Sequence, residues 1–413
     1  MEEHQQQLLQ CLRSALFRQE AVRWPGDEGE RSALLTLAEE QHVLPLVLDR
    51  LIPAAKAAGA DGETLRPLRQ LLLQSAVGQT RRTGKLEELY GALEAEGLRP
   101  LLAKGLACRL LYPNPDLRPS SDEDLLARDE DLESIHRVFT SMGMEQEGDE
   151  QLGEAQVVTY GDRESGLRVE LHRRLFPEDA QAYGGMNRCF EQAFERGVRL
   201  EGANGPVWTM GPDDHLLYLI CHSFKHFLHS GFGVRQVCDI CLAAAAWGDR
   251  IDWDGFFAAL EPFRADCFAL NLLAIGTEYL GFAGRWPAPM AAALAARGET
   301  DCGPLLEDLL TAGVYGSSSD VRLHSSRITL NAVAAEGEQG LGHSVLRTVF
   351  PSAHELEGRY PYLKEKPWLL PWAWVQRLVH YAGETWGRTG AARESVAIGE
   401  RRVELLKKYG VIP

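Results

Sequence analysis

The stretch LLAKGLACRLLYPNPDLRPSSDEDLLARDED, residues 101–131, holds a Lys-Gly pair, a short apolar run, a proline-rich turn and then a crowd of acids. Asp122 and Asp124 stand two apart, with Glu123 between them and Leu125-Leu126 behind. Acids at i and i+2 share a face only on an extended backbone. On a solvated helix the same letters carry no chemistry. SSDEDLLA is therefore read as a strand following the turn PNPDLRP. Two carboxylates side by side repel, and burying them unpaired is costly. A divalent cation removes that cost. Mg²⁺ takes oxygen ligands and keeps several waters, so one or two carboxylates plus the phosphates of a substrate suit it. Changing both acids to Asn is expected to leave the fold at least as stable, because two like charges are removed.

Upstream, LRPLLAKG reads as a short strand closing at Lys104-Gly105, and LACRLLY as the helix that follows. A glycine there lets the backbone approach a phosphate, and a helix N-terminus favours anions. Lys104 adds a point charge, and Arg118, just before the acids, is placed to reach a phosphate too. Downstream, DEDLESIHRVFTSMG is a helix closing at Gly143, and EAQVVTYGD and GLRVELHRRLF are two strands around the turn DRESG. The second strand supplies a third acid, Glu170, with Arg168 and His172 on the same face. Residues 96–180 thus read as β-α-β-α-β-β.

The rest of the chain is helical in texture. EEHQQQLLQCLRSALF, ERSALLTLAEEQHV and the long run from Leu65 to Gly97 carry apolar residues at three- and four-residue spacing. GPDDHLLYLICHSFKHFL and VRQVCDICLAAAAW begin a second helical block. VYGSSSDVRLHSS is the expected joint before the tail. The expected fold class is α+β, mostly helical, with a small mixed β-sheet core flanked by N- and C-terminal helical regions. The expected division is 1–95, 96–210, 211–315 and 316–413.

Composition narrows the function. The 413 residues carry a net charge of -16, which disfavours a basic groove for nucleic acid. No apolar run reaches a membrane span, and the start, MEEHQQQLLQ, lacks the basic region of a secretory signal. A cytoplasmic protein is expected, with its eight scattered cysteines as buried thiols, including Cys238 and Cys241 of CDIC.

The order of elements is that of the polymerase-β-type nucleotidyltransferases: strand, small-residue loop, helix, turn, D-x-D strand, acid strand. The match sharpens in the stretch quoted above, with its Lys-Gly loop and its YPxPxxRPxxDxDLL pattern. LRVELHRRL, DHLLYLICHSFKHF, VRQVCDICLAA and VFPSAHELEGRYPYL extend it. On these motifs, over roughly residues 40–380, the chain resembles the uncharacterised nucleotidyltransferases, a bacterial branch of that superfamily. The resemblance implies in-line attack on an α-phosphate of an NTP, with Mg²⁺ or Mn²⁺. The NMP passes to a hydroxyl or similar group of a small molecule, peptide or protein. Asp122, Asp124 and Glu170 are then catalytic metal ligands, with Glu170 as metal ligand or base. Lys104, Gly105 and Arg118 are nucleotide-binding. The loop departs from the wider superfamily, which uses Gly-Ser or Gly-Gly, and the third acid is Glu rather than Asp. Two other functions stay open: a catalytically silent relative that binds peptide or nucleotide, and nucleotidyl transfer to tRNA. The charge of -16 weighs against the latter.

His215, His222, His226 and His229 fall at i, i+7, i+11 and i+14, along one helix face. Helix packing, a zinc site, or a cleft lining by His172, His222, Lys225 and His226 all fit that spacing. Arg235 and Asp239, at i and i+4, read as a structural ion pair. The tryptophans of KPWLLPWAWVQRL read as core packing.

Overall fold

The structure is a computed structural model, which describes residues 1–18, 21–203, 205–229, 231–298, 300–311, 360–363, 366–374, 376 and 391–412. Four helices open the chain: α1 (Glu3–Phe17), α2 (Glu28–Glu40), α3 (Leu44–Ala57) and α4 (Gly62–Ala95). Two of them start on aspartate caps. The Asp27 side chain accepts from Glu30 N and the Asp61 side chain from Thr64 N. α3 escapes sequence reading because two prolines interrupt it. Pro45 sits in its first turn, where proline costs no hydrogen bond, and Pro53 lies inside. Gly97, at φ 74°, ends α4 in the left-handed conformation that favours glycine.

Seven strands then make one mixed sheet: β1 (Leu101–Leu102), β2 (Glu123–Leu126), β3 (Glu145–Glu147), β4 (Val157–Gly161), β5 (Arg168–His172), β6 (Val198–Glu201) and β7 (Pro206–Thr209). Their order is β3-β4-β5-β2-β1-β7-β6. β2 pairs parallel with β5 and antiparallel with β1, and β1 pairs parallel with β7. The short α5 (Leu106–Arg109) follows β1, and α6 (Leu132–Ser141) follows β2. The expected β-α-β-α-β-β order holds, with the edge strand β3 added and the β6–β7 hairpin closing the far side.

Strand alternation sorts the side chains. Leu125, Val169 and Leu171 enter one core with Leu86, Leu89, Tyr90 and Leu93 of α4 and Ile135 and Phe139 of α6. Each fully buried leucine there contributes roughly 2 kcal/mol relative to exposure. Asp124, Glu170 and His172 take the opposite face, because the side-chain period of a strand is two. That face meets α7 (Pro212–Leu228), whose Tyr218 hydroxyl donates to Asp124.

Five further helices follow α7: α8 (Val234–Trp247), α9 (Trp253–Leu260), α10 (Asp266–Tyr279), α11 (Ala288–Ala296) and α12 (Gly303–Thr311). The final charged helix is α13 (Ala391–Lys408). The chain is thus α+β and mostly helical, with one small mixed sheet. Two compact units are distinct: Met1–Ser223 with Gly233–Thr311, and Phe224–Phe232 with the described residues beyond Ala312. The joint VYGSSSDVRLHSS lies outside the described residues. Trp368 and Trp372 are exposed, at 73% and 56%, against the core packing expected of them.

Candidate active site

Parallel pairing of β2 with β5 sets Asp124 directly opposite Glu170. Asp122 stands one residue before β2 begins. Exposure grades outward across the three acids: the side chain of Asp124 is 1% exposed, that of Asp122 23% and that of Glu170 31%. Solvent therefore reaches the group from the side of Asp122 and Glu170.

Asp124 Oδ2 accepts from the Tyr218 hydroxyl at 2.7 Å and meets Lys104 Nζ at 3.1 Å. Asp124 Oδ1 is buried and has no hydrogen-bond partner among the described residues. His172 Nε2 lies 3.7 Å from it and 3.5 Å from Glu170 Oε2. Those separations exceed a hydrogen bond, so the attraction is between charges. Burial opposes the charged imidazole, but the carboxylates of Asp124 and Glu170 outweigh it and raise the His172 pKa to about 9. Burial likewise opposes the charged form of Asp124. Lys104 and His172 win, and hold it well below the usual carboxylate range.

A divalent ion fits these residues. Donor atoms of Asp124, Glu170 and His172 lie within 4.8 Å of one another, and Asp124 has one carboxylate oxygen left unpaired in the interior. Two carboxylates and an imidazole suit Mn²⁺ as well as Mg²⁺ suits carboxylates alone. Asp122 stands outside that group of three. Its Oδ2 meets Lys104 Nζ at 3.2 Å and its Oδ1 accepts from the Ser121 hydroxyl at 2.8 Å. His172 enters by being on Glu170's face, as its spacing foretold.

The position of Lys104 argues against the expected effect of removing both acids. Its ammonium bridges Asp122 and Asp124, and both carboxyls are held below their usual range despite burial. A group whose pKa is depressed on folding stabilises the fold in its charged form, so replacement by Asn costs stability.

The remaining nucleotide-site residues are placed differently. Gly105 is at φ 67°, and a methyl there would overlap the Glu123 carboxylate. That carboxylate accepts from Leu106 N at 2.8 Å and from Arg109 Nη1 at 2.6 Å. The glycine thus makes room for a buried ion pair. Arg118 is 2% exposed and clamped by Asp239, with Nη2 to Oδ2 at 2.5 Å and Nε to Oδ1 at 3.1 Å. Tyr112 donates to the same carboxylate at 2.8 Å. The expected Arg235–Asp239 pair does not form: Arg235 Nη1 donates to Pro119 O instead.

On α7, His222 Nδ1 lies 3.2 Å from the Tyr218 hydroxyl, which links it to Asp124. Tyr218 escaped the sequence reading. Its one signal is that it stands i−4 from His222 on a helix. His215 is fully buried beside Trp247, and burial lowers its pKa to about 4. Lys225 and His226 belong to the second unit, at the end of α7. Neither the histidine face nor the CDIC pair forms a three-ligand metal cluster among the described residues. All eight cysteines are free, six of them buried and Cys189 and Cys267 partly so. Past the carboxyl ends of β2 and β5 opens a cavity of about 660 Å³, lined by Leu126, Arg128, Arg173, Arg174, Asn187 and Arg188 among others. No described helix is long and apolar enough to cross a membrane.

A family model described as an uncharacterised nucleotidyltransferase matches residues 27–281. The match covers α2 through α4, the sheet and α7 through α10, and stops short of α1 and of the tail motif VFPSAHELEGRYPYL. No curated protein and no solved structure matches the chain.

Proposed function

The chain belongs to this family of nucleotidyltransferases, and we propose that it is a metal-dependent enzyme moving an NMP from an NTP to a hydroxyl or similar group of a small molecule, peptide or protein. One observation carries the reading. Asp124 lies opposite Glu170 on adjacent parallel strands, with an unpaired buried oxygen facing a group of donor atoms within 4.8 Å. Asp124 and Glu170 would hold Mg²⁺ or Mn²⁺, with His172 and Asp122 at its margin. When bound, the ion supplies charge neutralisation for the attacking and leaving oxygens.

The chain's own residues do the rest. Tyr218 fixes the Asp124 carboxylate by donating to Oδ2. Lys104 provides a mobile positive charge for phosphate at the same rim. Glu170, the most exposed of the three acids, would serve as base for the acceptor hydroxyl if it is not held by the ion. No covalent enzyme intermediate is required, since positioning and charge neutralisation carry phosphoryl chemistry.

The test is thermal unfolding with each of the four NTPs, with and without Mg²⁺ or Mn²⁺. Nucleotide at a hundred times its dissociation constant is expected to add about 2.7 kcal/mol, only when the divalent ion is present. Pyrophosphate release should accompany it once an acceptor is supplied. A nucleotide shift that ignores the divalent ion would instead favour a silent, nucleotide-binding relative, with Lys104 as the permanent partner of the acids.

A further inference from the structure

Among the described carboxylates that meet basic side chains, those of strand β2 and of Asp239 are built in two ways. Glu123 and Asp239 are each held by an arginine, Arg109 and Arg118, with every partner in these pairs 3% exposed or less. Each carboxylate also takes a second donor, Leu106 N for Glu123 and the Tyr112 hydroxyl for Asp239. Asp122 and Asp124 are held by a lysine whose side chain is 18% exposed. An arginine fork makes a fixed clamp, whereas an ammonium on a four-carbon stem is a compact charge that can swing. Asp124 also keeps one oxygen without a hydrogen bond. The permanent pairs are closed, and this one is not.

We propose that Lys104 is an exchangeable counter-ion, which holds the Asp122–Asp124 pair together and leaves it for the nucleotide's phosphates when a divalent ion takes the carboxylates. The proposal rests on the nucleotidyltransferase reading and adds to it a coupling between ion and nucleotide. An ammonium 3.2 and 3.1 Å from the two Oδ2 atoms competes with any second cation for the negative charge of the same carboxylates. Phosphate offers the ammonium a replacement partner of the same sign and comparable strength. The nucleotide therefore removes the obstacle to the ion, and by reciprocity the ion favours the nucleotide.

The test is a Mn²⁺ titration of the nucleotide-free full-length protein, followed by electron paramagnetic resonance. K104M is expected to bind Mn²⁺ on the order of tenfold more tightly than wild type, a usual size for one coupling of this kind. A non-hydrolysable NTP should then tighten Mn²⁺ on wild type and do so much less on K104M. R168M removes a cation that pairs with Glu147 at the sheet edge, and should leave Mn²⁺ affinity unchanged. Equal or weaker Mn²⁺ binding by K104M overturns the exchange while leaving the enzyme reading intact. Mn²⁺ bound by neither protein overturns both. Amine labelling of wild type, mapped by mass spectrometry, reads the same event without a substitution. Labelling of Lys104 should rise when Mn²⁺ is saturating, and labelling that stays level or falls overturns the proposal even if K104M does not fold.

Discussion

Strand β2 carries two faces that differ in how completely their charges are satisfied. On the core face, Glu123 is 1% exposed and accepts from both Arg109 and Leu106 N. On the other face, Asp124 is equally buried, yet it shares its lysine with Asp122 and leaves Oδ1 unpaired. Burial is the same and the residue types differ by one methylene. The interior tolerates a buried charge when all its bonding capacity is met. A buried charge left part-satisfied is a place where the fold gives up stability, and such places mark sites. The Asp-Glu-Asp run thus holds a structural acid between two candidate functional ones.

The largest expected effect separates those faces outright. D124N should cut nucleotidyl transfer on the order of a thousandfold, the several kcal/mol of charge stabilisation such a ligand set supplies. E123Q should keep the turnover of each folded molecule but lose about 3–5 kcal/mol of stability, since Arg109 is left buried without its partner. Denaturant unfolding and a pyrophosphate-release assay, run on both variants, measure the split. Loss of turnover in E123Q with a normal fold would erase the distinction between the faces.

G105A tests the structural face from the other side. The substitution sets a methyl against the Glu123 carboxylate and forces an L-residue to φ 67°. A loss of about 3 kcal/mol in denaturant unfolding is expected. A neutral outcome would return Gly105 to the phosphate-binding role that its position after the first strand suggests.

The smallest effect is in pH dependence. The Asp124 carboxyl is held well below its ordinary 3.8, despite burial, by Lys104 and His172. A depressed acid contributes stability that is present above its unfolded pKa and is lost as pH falls through the folded one. The stability gap between wild type and D124N should therefore be level between pH 3.8 and 6.5 and close progressively below that window as Asp124 is protonated, and above it as His172, raised to about 9 partly by Asp124, loses its proton. Unfolding in denaturant at several acid pH values reads this directly. A gap that stays level into strong acid would mean that Lys104 does not stabilise the charged form.

Much of this site was legible in the letters. The i, i+2 spacing of Asp122 and Asp124 before two leucines set an extended strand. LRVELHRRL placed Glu170 and His172 together on one face, and both strands formed where alternation predicted them. β6 and β7 went unread because strands of four residues are too short for alternation to carry much signal. The site partners were hidden for a different reason. Arg118 stands before the acids in the chain, where its position suggests a phosphate partner, but Asp239 takes it from 121 residues away. Tyr218 reaches Asp124 across 94 residues.

What the sequence determined by itself is what side-chain period decides: which residues of a strand share a face, and hence that Glu123 parts company with its two neighbours. Family membership followed from the same local motifs. What only the tertiary structure decided is which opposite charge each buried group meets. Lys104 lies against Asp122 and Asp124, Arg109 closes on Glu123, and Arg118 is clamped by Asp239. Spacing is a property of neighbours along the chain. Pairing is a property of neighbours in space, and in a low-dielectric interior it sets the charge state, the stability and the chemistry of each carboxylate.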